Sequence, residues 1–170
     1  MNRLFEKFIG RTLRNAMRDS GLRVTLQGPK NYALSEIGTN VPRFMTKPDI
    51  VIHCGDTPVM VIDTKWKRLA WLIDDSRRGV SQSDVYQTMA YAQIYRVKHL
   101  MLLYPHHTEL GNDEGLLCEY RITGADGLTD GDRRAAARLH RGQRHEFEGK
   151  TRWRLSNQGH LVQPISSYEC

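Results

Sequence analysis

Apolar residues recur at three-to-four spacing from residue 3 to about 18, at Leu4, Phe5, Phe8, Ile9, Leu13, Ala16 and Met17, with Arg11, Arg14 and Arg18 between them. That spacing predicts an amphipathic helix ended near Gly21. A strand is predicted over 22–26, followed by a turn at Gly28-Pro29-Lys30-Asn31 and a loop from Gly38 to Thr46. Two apolar runs, Ile50-Val51-Ile52 and Val59-Met60-Val61-Ile62, flank the turn residues Cys54-Gly55-Asp56-Thr57-Pro58 and read as a buried hairpin. After a polar loop at 74–79, Ser81 and Asp84 form a capping-box pattern that opens a helix running to about Arg96, with Val85, Met89 and Ala92 as its buried stripe. His99 to Tyr104 reads as a buried strand stopped by Pro105, and 116–122 alternates as one more. The order helix, three strands, helix, two strands predicts an α/β fold.

Beyond Ile122 the pattern weakens. Gly124, Asp126, Gly127, Asp130 and Gly131 read as a polar linker, 130–141 as a short basic helix and 150–155 as a strand, with a loose end. The expected organisation is a core over 1–122 and a basic extension over 123–170 packed on it.

At 170 residues the chain has the size of one domain with a substantial core. Lys and Arg number 25 against 19 Asp and Glu, a net charge of +6 that favours a polyanionic partner without choosing among DNA, RNA and an anionic membrane. No run reaches the roughly 18 apolar residues of a membrane span, and the first residues lack the apolar core of a secretion signal, so a cytoplasmic protein is expected. Cys54, Cys118 and Cys170 are widely spaced, without a Cys-x-x-Cys pair, and read as reduced thiols.

The candidate chemistry sits at the ends of the hairpin. Its first strand follows Lys47-Pro48-Asp49 and its second ends in Asp63-Thr64-Lys65, the order Pro-Asp then Asp-x-Lys of a metal-dependent phosphodiesterase. Side chains alternate along a strand and paired strands lie roughly 5 Å apart, so Asp63 and Lys65 share a face, Thr64 points away, and pairing brings Asp49 beside Asp63. Two carboxylates that close repel unless a cation lies between them, and hard oxygen ligands suit Mg²⁺, with Mn²⁺ as a substitute. Lys65 then stands where it can orient a water or stabilise charge on a phosphate. By itself the motif is short enough to arise by chance.

Other residues add to it. Gln87 and Tyr91 are four apart on one helix face that can look into the site and bond substrate phosphate or the metal ligands. Glu6, among apolar neighbours on the first helix, is a further candidate carboxylate for the metal. Trp66, Lys67 and Arg68, and the set Arg133, Arg134, Arg138, Arg141 and Arg144, are candidates for holding DNA phosphates. His53, His106, His107, His140 and His145 lack zinc-ligand spacing and suit surface or loop roles.

Ordered blocks carry a resemblance: Leu4-Phe5-Glu6-Lys7-Phe8-Ile9-Gly10, Leu26-Gln27-Gly28-Pro29, Lys47-Pro48-Asp49-Ile50-Val51, Ile62-Asp63-Thr64-Lys65-Trp66-Lys67-Arg68-Leu69, Ser81-Gln82-Ser83-Asp84-Val85-Tyr86-Gln87-Thr88-Met89-Ala90-Tyr91 and Leu102-Leu103-Tyr104-Pro105. Over residues 3 to about 105 the chain resembles McrC, the nuclease subunit of the modified-cytosine restriction system. The resemblance implies a restriction-endonuclease-like PD-(D/E)xK fold, a central mixed β-sheet flanked by helices. It also implies Asp49, Asp63 and Lys65 as the active set, with the Thr64 backbone carbonyl as a candidate metal ligand. Mg²⁺-dependent cleavage of double-stranded DNA follows, with methylated DNA as a candidate target and an McrB-like AAA+ GTPase as partner. Family members carry an amino-terminal region that engages the GTPase ring, whereas the helix that opens these blocks begins almost at Met1. Cutting both strands with one nick per site requires a homodimer. Two rival readings are a catalytically weak subunit that binds DNA or a partner, and a RecB-like exonuclease acting on DNA ends, which Gln-x-x-x-Tyr also suits.

Overall fold

A computed structural model describes residues 2–69, 77, 79–107, 115–123 and 129–140. Helix α1 spans Asn2–Ala16, followed by strands β1 (Leu22–Leu26), β2 (Asn31–Ser35), β3 (Pro42–Thr46), β4 (Ile50–Cys54) and β5 (Thr57–Thr64). Helix α2 (Gln82–Tyr95) then leads to β6 (His99–Pro105), β7 (Gly115–Thr123) and β8 (Thr129–His140). The fold is α/β, with a six-stranded mixed sheet in the order β1-β4-β5-β6-β8-β7 and a separate two-stranded ribbon of β2 and β3.

The two faces of the sheet are covered by different helices because successive strand residues point opposite ways. Ile50 and Ile52 of β4 and Ile62 of β5 pack with Phe5 and Ile9 of α1. Val51 and Val61 pack with Tyr91, Ala92 and Tyr95 of α2. These strand residues are essentially excluded from solvent, and full burial of a Val or Ile contributes about 1.5–3 kcal/mol. Asp49 is in phase with Val51, and Asp63 with Val61, so both carboxylates belong to the α2 face.

The hairpin closes through Gly55, at φ +58°, and Asp56, with Cys54 opposite Thr57. Between β5 and β6 the chain runs through α2 and returns parallel, as a strand–helix–strand crossover requires. Ser81 caps α2 by accepting from the Asp84 amide, and Arg96, at φ +53°, ends it.

Several expectations need correction. The turn and loop predicted between 28 and 46 hold the β2–β3 ribbon. It exposes Tyr32, Leu34, Phe44 and Met45 and therefore lacks the half-buried alternation that marks a strand. Tyr95 anchors its base, with Oη 2.7 Å from the Pro29 carbonyl and 3.1 Å from that of Thr46. The buried stripe of α2 runs through Asp84, Thr88, Tyr91, Ala92 and Tyr95, while Met89 is exposed. The basic helix predicted over 130–141 is strand β8 as far as His140, parallel to β6 and antiparallel to β7. Alanine and arginine favour a helix locally, and ladders on both sides override that preference. Cys118 is a free thiol, but Cys54 is disulfide-bonded, where the spacing predicts reduced thiols. The loop over 74–79 lies largely, and the strand over 150–155 wholly, outside the described residues. Among those residues no helix is long and apolar enough to cross a membrane.

Candidate active site

Register brings the two carboxylates together. Ile50 pairs with Ile62, so Asp49, one step before Ile50, lies across from Asp63, one step after Ile62. Asp49 precedes β4, and its backbone is held from outside the hairpin: Gln27 N–H donates to the Asp49 carbonyl at 2.7 Å and Gly28 N–H to the Pro48 carbonyl at 2.9 Å. Gly28 is required there, because a Cβ would stand 2.6 Å from Val51 Cγ2 and 3.0 Å from Pro48 Cγ. The Asp49 side chain accepts both the amide (2.8 Å) and the hydroxyl (2.6 Å) of Thr64 on Oδ2, and neither bond uses Oδ1. Thr64 is thus drawn toward Asp49, although alternation predicts that it points away.

Asp63 is 4% exposed. Its Oδ2 lies 2.6 Å from Lys65 Nζ, an ion pair without an aligned hydrogen bond. Burial pushes the Asp63 carboxyl above the ordinary carboxylate range; Lys65 opposes the rise, and the charges of Asp49 and Asp84 add to it. A buried carboxylate beside another negative charge favours a cation.

Lys65 is fixed from both ends. Its amide donates to the Leu103 carbonyl at 2.8 Å, extending the β5–β6 ladder by a residue, and its ammonium donates to Gln87 Oε1 at 2.7 Å. Gln87 Nε2 in turn donates to Tyr91 Oη at 2.8 Å. Burial, with the negative charge of Asp63, pushes the Tyr91 hydroxyl up to about 12, so it stays protonated at neutral pH. The predicted set Asp49, Asp63, Lys65, Gln87 and Tyr91 therefore converges on one end of β4 and β5 under α2.

The family model for the McrBC 5-methylcytosine restriction system component matches residues 1–105 of the 170. The chain belongs to this family. Among solved structures, it is similar to a chain of the refined half-complex from a tetradecameric assembly of Thermococcus gammatolerans McrB AAA+ hexamers with bound McrC. The two are 22% identical with a TM-score of 0.55, over 83% of this chain and 28% of that one. This McrBC-family chain thus spans little more than a quarter of that relative's length, and the likeness is one of fold. A comparison with curated proteins returned no match.

The geometry adds one residue to the site that the spacing alone leaves out. Asp84, 7% exposed at the start of α2, lies with Oδ1 3.6 Å from Lys65 Nζ and with Oδ2 against Lys67 Nζ and 3.1 Å from Tyr104 Oη. Burial favours its neutral form, but the bonds from Lys67 and Ser81 and the charge of Lys65 outweigh this and hold Asp84 below the ordinary carboxylate range. The capping pattern at Ser81 and Asp84 accounts for the residue so fully that a second role is hard to read; the signal is the pair of lysines two residues apart, both needing an anion.

Glu6 is buried on α1, where its carboxylate accepts from the Gln27 side chain, which itself accepts from Lys47. That chain leads to Pro48-Asp49 through the backbone, with no bond from Glu6 to either central carboxylate among the described residues. Trp66 packs its ring 5.3 Å from Phe5, and Lys67 turns inward to Asp84 and Ser81. Arg133, Arg134 and Arg138 lie on β8, while Arg141 and Arg144 lie outside the described residues. His53, expected at a surface or loop, is buried in β4, where burial and the charge of Arg23 lower its basicity. Among the described residues no three His, Cys, Asp or Glu side chains form a group able to hold a metal ion.

Proposed function

We propose that this chain is a nuclease of the PD-(D/E)xK type, a Mg²⁺-dependent phosphodiesterase of an McrBC-type restriction system that cuts double-stranded DNA together with an McrB-like AAA+ GTPase. One observation carries the reading: the hairpin register sets Asp49 across from Asp63, with Lys65 2.6 Å from the second carboxylate.

The donor set fits Mg²⁺. Two carboxylates, one with a buried oxygen that lacks an aligned hydrogen bond, would hold the ion, and the Thr64 carbonyl, water and phosphate oxygens would complete an all-oxygen shell. The small number of protein ligands is the usual situation for this ion. When bound, Mg²⁺ supplies Lewis-acid stabilisation of the phosphate.

The chain's own residues do the rest. Thr64 orients Asp49 through two bonds that both fall on Oδ2. Lys65 delivers a positive charge to the attacking water or to the phosphate oxygen on which charge grows. Gln87 and Tyr91 aim that ammonium through two successive hydrogen bonds. Direct attack of water on phosphorus requires no covalent enzyme intermediate. The net charge of +6 suits a polyphosphate substrate.

The test is cleavage of circular and linear plasmid DNA, methylated and unmethylated, by the full chain with an McrB-type GTPase, in Mg²⁺ and in EDTA. Wild type is expected to linearise circles in Mg²⁺ only, and Asp63→Ala to leave them intact. Equal cleavage by both proteins would contradict the assignment, and degradation confined to linear DNA would replace it with end-directed exonuclease activity.

A further inference from the structure

Three acceptors converge on one ammonium. Lys65 Nζ lies 2.6 Å from Asp63 Oδ2, 2.7 Å from Gln87 Oε1 and 3.6 Å from Asp84 Oδ1. Gln87 takes a hydrogen bond from it, and the two carboxylates meet it as ion pairs. A divalent cation and an ammonium on the same carboxylate oxygen repel strongly, however, and the repulsion is poorly screened where that oxygen is buried.

We propose that Asp84 is a positioning residue: it retains Lys65 at the site when Asp63 turns to a divalent ion, so that the lysine gives up one carboxylate for another instead of leaving. The proposal rests on the reading of Asp49 and Asp63 as the metal pair.

Asp84 is built to stay in place. Its amide donates to Ser81 Oγ at 3.3 Å and its carbonyl accepts from Thr88 Oγ1 at 2.6 Å, which locks its backbone into the first turn of α2. Tyr104 Oη donates to Oδ2 at 3.1 Å from the floor of the sheet, and Lys67 meets the same oxygen. Oδ2 is thus committed to Tyr104 and Lys67, while Oδ1 is the oxygen turned to Lys65. A helix-capping aspartate needs none of this: Ser81 supplies the cap, and an asparagine would fit the same space. The negative charge is what two lysines on one strand extension require. Gln87 alone would hold Lys65 by a neutral acceptor, which is weaker than a charged one.

Mn²⁺ binding to the full chain, followed by calorimetry without DNA, gives a readout independent of turnover. Asp84→Asn keeps the size and, through its amide oxygen, an acceptor for Tyr104 and Lys67, but it turns an NH₂ toward Lys65 and leaves Asp63 as that lysine's one carboxylate, so the lysine competes with the ion. Mn²⁺ affinity should fall about tenfold, and kcat for cleavage about 10- to 100-fold with KM changed by less than about threefold. Asp84→Glu, which keeps the charge, should return Mn²⁺ affinity to within about threefold of wild type. In a Lys65→Ala background the competitor is gone, and adding Asp84→Asn should change affinity by less than about twofold.

Unchanged Mn²⁺ affinity in Asp84→Asn, or the same loss with and without Lys65, would overturn the proposal, as would a loss in Asp84→Glu equal to that in Asp84→Asn. If Asp84→Asn does not fold, Asp84→Ser, which also removes the charge, decides with and without Lys65→Ala: the loss of Mn²⁺ affinity must appear with Lys65 present and vanish without it. Wild type that binds no Mn²⁺, or Asp63→Ala that binds it as wild type does, refutes the metal pair itself and is thereby distinguished from failure at Asp84.

Discussion

Thr64 gives both its amide and its hydroxyl to one oxygen of Asp49, at 2.8 and 2.6 Å, so the last residue of β5 fixes the carboxylate that precedes β4. Asp49 enters from a loop, yet its side chain is held as firmly as if it stood within the sheet. Thr64→Val removes the hydroxyl bond and keeps the shape and the amide bond. Stability should fall by about 1 kcal/mol and cleavage by about tenfold, measured by denaturant unfolding and by plasmid nicking. Cleavage at the wild-type rate would mean that the Asp49 rotamer is set elsewhere.

Burial of the Asp63 carboxylate works against the stability of the metal-free fold at neutral pH. That carboxyl titrates above the ordinary range because it is buried, so the metal-free folded protein holds a proton that the unfolded chain releases earlier. Stability on that account is present below the unfolded carboxylate range and is lost as pH rises through the raised value. Asp63→Asn should therefore melt above wild type at pH 7 in EDTA, and that advantage should disappear below about pH 4, the ordinary carboxylate range. Scanning calorimetry at the two pH values checks this; a variant that melts lower at pH 7 contradicts it.

Tyr91 works as a neutral hydroxyl. With its value near 12, it does not serve as a base at physiological pH, and its role is to accept from Gln87, which holds Lys65. Tyr91→Phe should slow cleavage about tenfold while leaving the shape of the pH–rate profile between about pH 6 and 9 unchanged. A profile that loses a limb in the variant would assign Tyr91 a proton-transfer role instead.

Gly28 is where the loop after β1 touches the loop before β4. Gly28→Ala would drive a methyl against Val51 and the Pro48 ring, both buried, and push Asp49 off its register. A loss of about 1–3 kcal/mol in unfolding free energy is expected, with weakened Mn²⁺ binding. Wild-type stability would show that the backbone there is free to yield.

Much of this arrangement is legible without coordinates because it depends on local rules. The apolar runs around Gly55-Asp56 define the hairpin, alternation puts Asp63 and Lys65 on one face, and four-residue spacing puts Gln87 and Tyr91 on another that meets it. What is not legible depends on neighbours distant in sequence. The stripe of α2 includes Asp84 and Thr88 because that face covers the site as well as the sheet, so apolar periodicity selects the exposed Met89 instead. Strand β8 carries Ala135-Ala136-Ala137 between arginines and becomes extended through its ladders with β6 and β7. The β2–β3 ribbon buries neither face, which removes the signal that reveals a strand. Asp84 reads as a capping residue until Lys65, Lys67 and Tyr104 are seen around it.

The most direct test of the central claim is the position of a bound ion, located by anomalous scattering from a crystal of the protein grown with Mn²⁺. The account predicts a peak ligated by the carboxylates of Asp49 and Asp63, with Lys65 shifted from Asp63 toward Asp84 and Gln87. A peak elsewhere, or none at this pair while Lys65 keeps its contact with Asp63, would contradict it.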